Sequence, residues 1–207
     1  MTIPHQIKNI IFDFGGVIIN IDFEKTYRSF MRFGIDNMDQ LFSQAKQTDF
    51  FDRFEKGLIT PSEFRKEVKV LLGIKIGDET FDDAWNSMIL NIPKERIDVL
   101  IRLKKQYRTF LLSNSNRIHY DYYLKRLNTE YGIRSFDSLF EKAYFSFQIK
   151  MIKPRPLIFE YILAKNNLLP SETLFVDDTQ QNITAAKNCG LQTLLIEKGE
   201  DISGIFQ

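Results

Sequence analysis

The sequence predicts an α/β fold: an open parallel sheet flanked by helices, with an all-helical segment inserted after the first strand. Three observations lead there. Five short runs are apolar at consecutive rather than alternate positions, as strands covered on both faces require. Helical patterns stand between successive runs, the rhythm of the doubly wound class. From about Asp22 to Leu90 no convincing strand pattern appears.

The strands are read at KNIIFD (8–13), RTFLLS (108–113), KAYFSF (142–147), TLFVDD (173–178) and QTLLI (192–196). PKERIDVLIRLKKQ begins with Pro93 in a first-turn position and puts Ile97, Leu100, Ile101 and Leu103 on an apolar face. PLIFEYILAKNN begins with Pro156 and stops near NNLLP. TQQNITAAKNCG takes Thr179 as its cap and closes on Gly190. Within the insert, FEKTYRSFMRFG, MDQLFSQAKQ, DFFDRFEKG, TPSEFRKEVKVLLG and DETFDDAWNSMIL each read as a helix. Thr60, Pro61 and Glu63 make a strong helix start. The expected division is therefore an α/β core over 1–21 and 91–207 and a helical subdomain over 22–90. An insert at that point suits a lid over a site at the sheet edge.

Composition narrows the function classes. Of 207 residues, 43% are hydrophobic and 14% aromatic, with 19 phenylalanines, enough for a sizeable core. The 28 basic and 27 acidic residues nearly cancel, so no overall field favours nucleic acid or an anionic membrane. Cys189 is the one cysteine and has no internal disulfide partner. Asp13 interrupts the first apolar run, which lacks the layout of a signal peptide. No segment reaches the ~18 apolar residues of a membrane span. These features set the expectation of a cytoplasmic protein with a small-molecule partner; no protein partner is inferable.

In open α/β sheets, ligands bind beyond the carboxyl ends of the strands. Asp13 ends the first run, Ser113 and Asn114 follow the second, and Asp177–Asp178 end the fourth. Lys153 stands just ahead of the helix preceding that fourth strand. Singly, each has an ordinary reading as a turn former, cap or loop charge. Adjacent carboxylates, however, repel one another without a counter-ion, and a divalent oxygen-seeking metal would relieve that. A carboxylate can also act as a nucleophile toward phosphorus. A lysine, a hydroxyl and backbone N–H groups would then hold the phosphoryl oxygens. Gly15 and Gly16 let the chain turn tightly beside such a group.

Taken together, IIFDFGGVI, FLLSNSN, IKPRPLIF and LFVDDTQQNITAA resemble, in order and spacing, the four motifs of the haloacid dehalogenase superfamily. The resemblance spans the whole chain and implies a Rossmann-like core with a C1-type helical cap. It implies a Mg2+-dependent phosphatase acting on a small phosphorylated metabolite through an aspartyl-phosphate on Asp13. In that family pattern Asp13 is nucleophile and metal ligand, and the Gly15 position offers a backbone carbonyl to the metal. Asp178 is then a direct ligand, Asp177 stands behind it, and Ser113, Asn114 and Lys153 hold the phosphoryl group. Asn182, one helical turn on, orients the site. FDFGGVIINID, FEKGLITPSEF, LLSNSNRIH and VDDTQQNITAAKNCG are similar to a branch of small bacterial sugar-phosphate phosphatases that also carry Gly at this place.

Gly15 departs from the usual family pattern, which has Asp there as general acid. Such help is worth ~10²- to 10⁴-fold. Either the leaving group needs little protonation, or another group serves, with Asp22, Glu55 and Lys56 as candidates. A catalytically weak binding protein and a haloacid dehalogenase-like hydrolase are the alternatives. The Asp177–Asp178 pair argues against the latter, and Gly15 argues against a phosphomutase. His119 reads as a surface or internally satisfied histidine before a rim contact to substrate, and Arg117 as a solvated helix start. Phe50, Phe51, Phe54 and Trp85 read as core of the helical insert, and Cys189 as a small buried residue.

Overall fold

The computed structural model describes residues 3–35 and 49–206. The helix expected at MDQLFSQAKQ lies outside them. All five strands form where the apolar runs place them: β1 (Asn9–Phe12), β2 (Arg108–Ser113), β3 (Lys142–Phe145), β4 (Thr173–Asp177) and β5 (Gln192–Leu195). They make one parallel sheet in the order β3-β2-β1-β4-β5. β1 lies between β2 and β4, with Ile10 in register with Thr109 on one side and Leu174 on the other. The order reverses direction at β1, so a crevice opens beyond the carboxyl ends of β1 and β4.

Strand residues alternate between two apolar layers. Ile10, Phe12, Leu111, Leu174 and Val176 enter one cluster with Leu100 and Leu127. Ile11, Phe110, Leu112 and Phe175 enter the other with Phe159, Ile162 and Ile183. This is why the strand sequences lack polar alternation. Fully burying each such side chain contributes about 1.5–3 kcal/mol.

Among the described residues the helices, in chain order, are α1 (Phe23–Met31), α2 (Phe50–Glu55), α3 (Pro61–Leu72), α4 (Asp78–Asn86) and α5 (Lys94–Leu103). After β2 come α6 (Arg117–Tyr131), α7 (Ser146–Ile149), α8 (Pro156–Asn166), α9 (Gln180–Asn188) and α10 (Ile202–Ile205). The Thr60 start is a capping box. Thr60 Oγ1 accepts from Glu63 N at 3.2 Å, and the Glu63 carboxylate accepts from Thr60 N at 2.7 Å. Two starts differ from expectation. Pro93 precedes α5 as its N-cap, with the first turn beginning at Lys94. Thr179 precedes α9, but its hydroxyl donates to Asp178 Oδ1 at 3.2 Å and caps nothing. Cys189 is half-buried, not fully buried.

α1 to α4 gather their own apolar cluster, with Phe30, Phe54, Phe64, Phe81 and Trp85 at its centre and Ile118 of α6 joining it. Phe54 and Phe64 stack at 3.8 Å. Both ends of this segment run beside each other. Ile21 and Ile89 form an antiparallel bridge, Asp22 N donates to Met88 O at 2.9 Å, and Asn20 N donates to Asn91 O at 3.0 Å. No strand pattern announced this pairing, because it is one bridge long and joins residues far apart in sequence. The segment also meets the sheet side at α7. A Cβ on Gly57, whose φ is +63°, would lie 2.2 Å from the Phe147 carbonyl oxygen. No helix among the described residues is long and apolar enough to cross a membrane.

Candidate active site

β1 ends by delivering Asp13 to the crevice, held there by Asp13 N donating to Val176 O at 2.8 Å. β4 delivers Asp177 and Asp178 beside it. Ligating oxygens of Asp13, Asp177 and Asp178 lie within 4.8 Å of one another. Lys153 enters from the far side and bridges two of the three. Its Nζ donates to Asp13 Oδ1 at 2.5 Å and to Asp177 Oδ2 at 2.7 Å. The same ammonium lies 5.4 Å from the centre of the Phe175 ring.

Asp13, Asp177 and Lys153 are buried, so their charges are weakly screened. Burial pushes Asp13 up to about 7, and Asp177 and Asp178 add to the rise while Lys153 opposes it. Burial disfavours the Lys153 ammonium, but Asp13 and Asp177 outweigh it and hold the pKa above its ordinary value. When ionised, the three carboxylates exceed the single ammonium by two negative charges. A divalent cation with oxygen ligands matches that excess.

The two acids of β4 differ. Asp177 is fully enclosed and fully engaged. Besides Lys153, it accepts from Thr179 N at 2.8 Å and from Asn182 Nδ2 at 3.0 Å on both oxygens. Asp178 is exposed and accepts from the Thr179 hydroxyl. Its approach depends on Gly16, whose φ is +75°. A Cβ there would stand 1.9 Å from Asp178 Oδ2. The sequence predicts a tight turn and a close approach to a ligand at Gly16; the contact with Asp178 is added by the fold.

β2 contributes Ser113 and Asn114 to the lining of the same cavity. The Asn114 side chain is committed to Lys153: its Nδ2 donates to Lys153 O at 2.9 Å, and its Oδ1 accepts from Lys153 N at 2.9 Å. Asn114 therefore fixes the lysine's main chain. Just beyond, Ser115 N donates to Ser146 Oγ at 2.9 Å, and Ser146 Oγ donates to Ser115 O at 2.9 Å.

The cavity above these groups measures about 600 Å³, and its upper wall is largely apolar, with Phe51, Phe54, Trp85 and Met88. The insert aromatics are therefore both core and wall, as Phe54 and Trp85 also belong to the buried cluster. Phe50 packs against that cluster without lining the cavity. His119 lines the wall too. It stacks on Trp85 at 5.4 Å and shares a 2.8 Å hydrogen bond between Nδ1 and Asn86 Oδ1. Asn86 Oδ1 accepts, so Nδ1 carries the proton and Nε2 is bare. Burial lowers the His119 pKa to about 3, which keeps it neutral. The Trp85 indole N–H is buried and has no partner among the described residues. Arg117, by contrast, is exposed and paired with Asp121 at 2.8 Å.

Gly15 and Gly16 both line the cavity. A Cβ on Gly15 would lie 2.5 Å from Ile21 Cδ1, so Ile21 fills the space a side chain at 15 would enter. Of the three candidate substitutes for the missing acid, Asp22 caps α1 by accepting from Glu24 N at 3.1 Å, and Lys56 pairs with Asp52 at 3.0 Å. Neither is among the described residues that line the cavity, whereas Glu55 is.

The chain resembles known proteins in sequence and in fold. Residues 7–190 match the family model for haloacid dehalogenase-like hydrolases. The chain is 34% identical over 196 residues to a D-ribitol-5-phosphate phosphatase of Bacteroides thetaiotaomicron, covering 95% of each. It is similar in structure to a HAD family enzyme of that organism solved with magnesium and inorganic phosphate. The TM-score is 0.88 at 36% identity, covering 97% of this chain and 100% of the other. It is also similar to a predicted HAD-like family hydrolase from Porphyromonas gingivalis, with a TM-score of 0.81 at 32% identity, covering 94% and 93%. The chain belongs to the haloacid dehalogenase-like hydrolases and is a phosphoric monoester hydrolase of that family.

Proposed function

We propose that the protein is a magnesium-dependent phosphatase for a small phosphorylated sugar or polyol, with Asp13 as nucleophile. The observation that carries this is the bridge of Lys153 between Asp13 and Asp177, at the one place where the strand order reverses. The D-ribitol-5-phosphate phosphatase supports the substrate class.

The carboxylate set fits Mg2+: Asp13, Asp178 and the main chain at Gly15 would hold it, with Asp177 behind them. When bound, the ion supplies positive charge against the phosphate oxygens and against Asp13. The other steps belong to the chain. Lys153 and Ser113 hold the phosphoryl oxygens. Asn114 holds Lys153, and Asn182 holds Asp177. An Asp13 carboxylate oxygen attacks phosphorus opposite the leaving oxygen, and the alcohol departs. Water then attacks the phosphorus of the aspartyl-phosphate, releasing phosphate and restoring Asp13. Residues 22–90 form the cap of this reading, and its described aromatic residues Phe51, Phe54 and Trp85 line the cavity over the leaving group.

A panel of sugar, polyol and aryl phosphates, with and without magnesium, tests the reading beside Asp13→Asn. Phosphate release by the wild type that needs magnesium and is lost in the variant is expected. Equal release by the variant overturns it. Haloacids are included, because halide release without magnesium would favour the dehalogenase alternative.

A further inference from the structure

Gly15 leaves the leaving oxygen without the customary proton donor, and among the candidates it is Glu55 that lines the cavity. The other lining groups are spent or unsuited. Asp13 and Lys153 are locked to each other at 2.5 Å. The bare Nε2 of His119 has no proton to give. The Tyr123 hydroxyl bonds Ser115 Oγ, and burial raises its pKa further. Hydroxyl groups are weak acids near neutral pH. Glu55 is the last residue of α2, beside Phe54, and lines the cavity. Its carboxyl has no hydrogen-bond partner among the described residues. α2 is itself anchored: Asp52 pairs with Arg155 at 3.5 Å, and Gly57 lies against the Phe147 carbonyl.

We propose that Glu55 protonates the leaving oxygen and then takes the proton of the attacking water, filling the role that Gly15 leaves open. This rests on the phosphatase reading above. In the first step the Asp13 oxygen–phosphorus bond forms and the bond to the leaving oxygen breaks, its electron pair taking the Glu55 proton. In the second, the water oxygen–phosphorus bond forms and the Asp13 oxygen–phosphorus bond breaks, its pair returning to the carboxylate. The water proton goes to Glu55, so the enzyme ends as it began.

The electrostatics agree. Burial pushes the Glu55 carboxyl up to about 7, Asp52 adds to the rise and Lys56 opposes it. A group poised there can both give and accept a proton near neutrality. Tyr123 and His119 of α6 line the same cavity, as do Asp13, Lys153 and Asp178. α7, packed against α2, carries no titratable side chain.

The test compares kcat/KM of wild type, Glu55→Gln and Glu55→Asp on a polyol phosphate and on p-nitrophenyl phosphate, with magnesium, across pH 5 to 9. The polyol leaving group needs protonation and nitrophenolate does not. The expected loss in Glu55→Gln is ~10²- to 10⁴-fold on the polyol ester and at least tenfold smaller on the aryl ester. The fall of the wild-type polyol rate above about pH 7 should vanish in Glu55→Gln and persist in Glu55→Asp. Equal losses on both esters, or no loss on the polyol ester, overturn the proposal. If the Gln variant does not fold, wild type alone decides. A kcat/KM that falls steeply as the leaving group becomes more basic contradicts a proton donor, and a shallow dependence supports one. Asp13→Asn separates the two claims. If that variant is inactive and Glu55→Gln loses both esters alike, Glu55 alone is refuted. If Asp13→Asn stays active, the phosphatase reading falls and this proposal with it.

Discussion

At the residue scale, side chains that are missing shape the site as much as those present. Gly16 is the sharpest case. Alanine there would adopt a left-handed conformation, unfavourable by ~1–2 kcal/mol, and its Cβ would occupy the place of Asp178 Oδ2. Gly16→Ala is expected to weaken magnesium binding by roughly 10- to 100-fold, the usual effect of disturbing a ligand's support. Titration calorimetry with magnesium reads this directly, and unchanged affinity would remove Gly16 from the account. His119 makes a different prediction. Its pKa falls from 6.5 to about 3 in the fold. Between those values the unfolded chain binds the proton and the native chain does not. Its contribution to stability is therefore complete above pH 6.5 and is lost as pH falls. At pH 5 the loss is about 2 kcal/mol. Glu55 acts in the opposite sense, because its raised pKa makes the fold gain stability on acidification between about 7 and 4.5. The difference between wild type and His119→Gln isolates the histidine. Urea denaturation at pH 7 and pH 5 should show that gap narrowing by about 2 kcal/mol, and a pH-independent gap contradicts a neutral buried His119.

At the element scale, three separate segments meet because each ends at the same edge of the sheet. The loop after β2 and the loop before α8 are joined through Asn114, whose amide meets both the N–H and the carbonyl of Lys153. Asn114→Ala removes both bonds and lets the lysine main chain drift. A displacement of about 1 Å at a reacting site can lower rate by ~10²-fold. A fall in kcat/KM of that order, with the unfolding temperature little changed, is expected, and full activity would show that Lys153 needs no such support. The strands themselves were legible, since burial on both faces leaves a continuous apolar run that sequence displays. The capping box at Thr60 was equally plain, being local. Neither the Ile21–Ile89 bridge nor the Asn114–Lys153 clamp could be read. The bridge joins distant residues through main-chain groups, and the clamp ends on the main chain of Lys153, which carries no signature in side-chain pattern. Glu55 was visible only as one of three candidates, because the cavity it shares with Phe51, Phe54 and Trp85 exists only in the folded chain.

At the scale of the whole molecule, an acidic cluster beside a cavity makes stability depend on what fills it. A ligand present at a hundred times its dissociation constant stabilises by ~2.7 kcal/mol. For a chain of 207 residues that is a rise in unfolding temperature of roughly 5–10 °C. Magnesium with inorganic phosphate should give such a rise in the wild type, and Asp178→Ala should lose most of the magnesium-dependent part. Equal shifts in both would place the ion elsewhere. The central claim concerns Asp13. An ester with a good leaving group makes phosphoryl transfer fast and leaves hydrolysis of the intermediate slower. Rapid acid quenching of wild type turning over such a substrate with magnesium, followed by mass spectrometry of the peptide carrying Asp13, tests it most directly. Phosphate on Asp13 in the wild type and none in Asp13→Asn is the expected result. Rapid phosphate release with an unmodified Asp13 peptide, or phosphate on another residue, would contradict it.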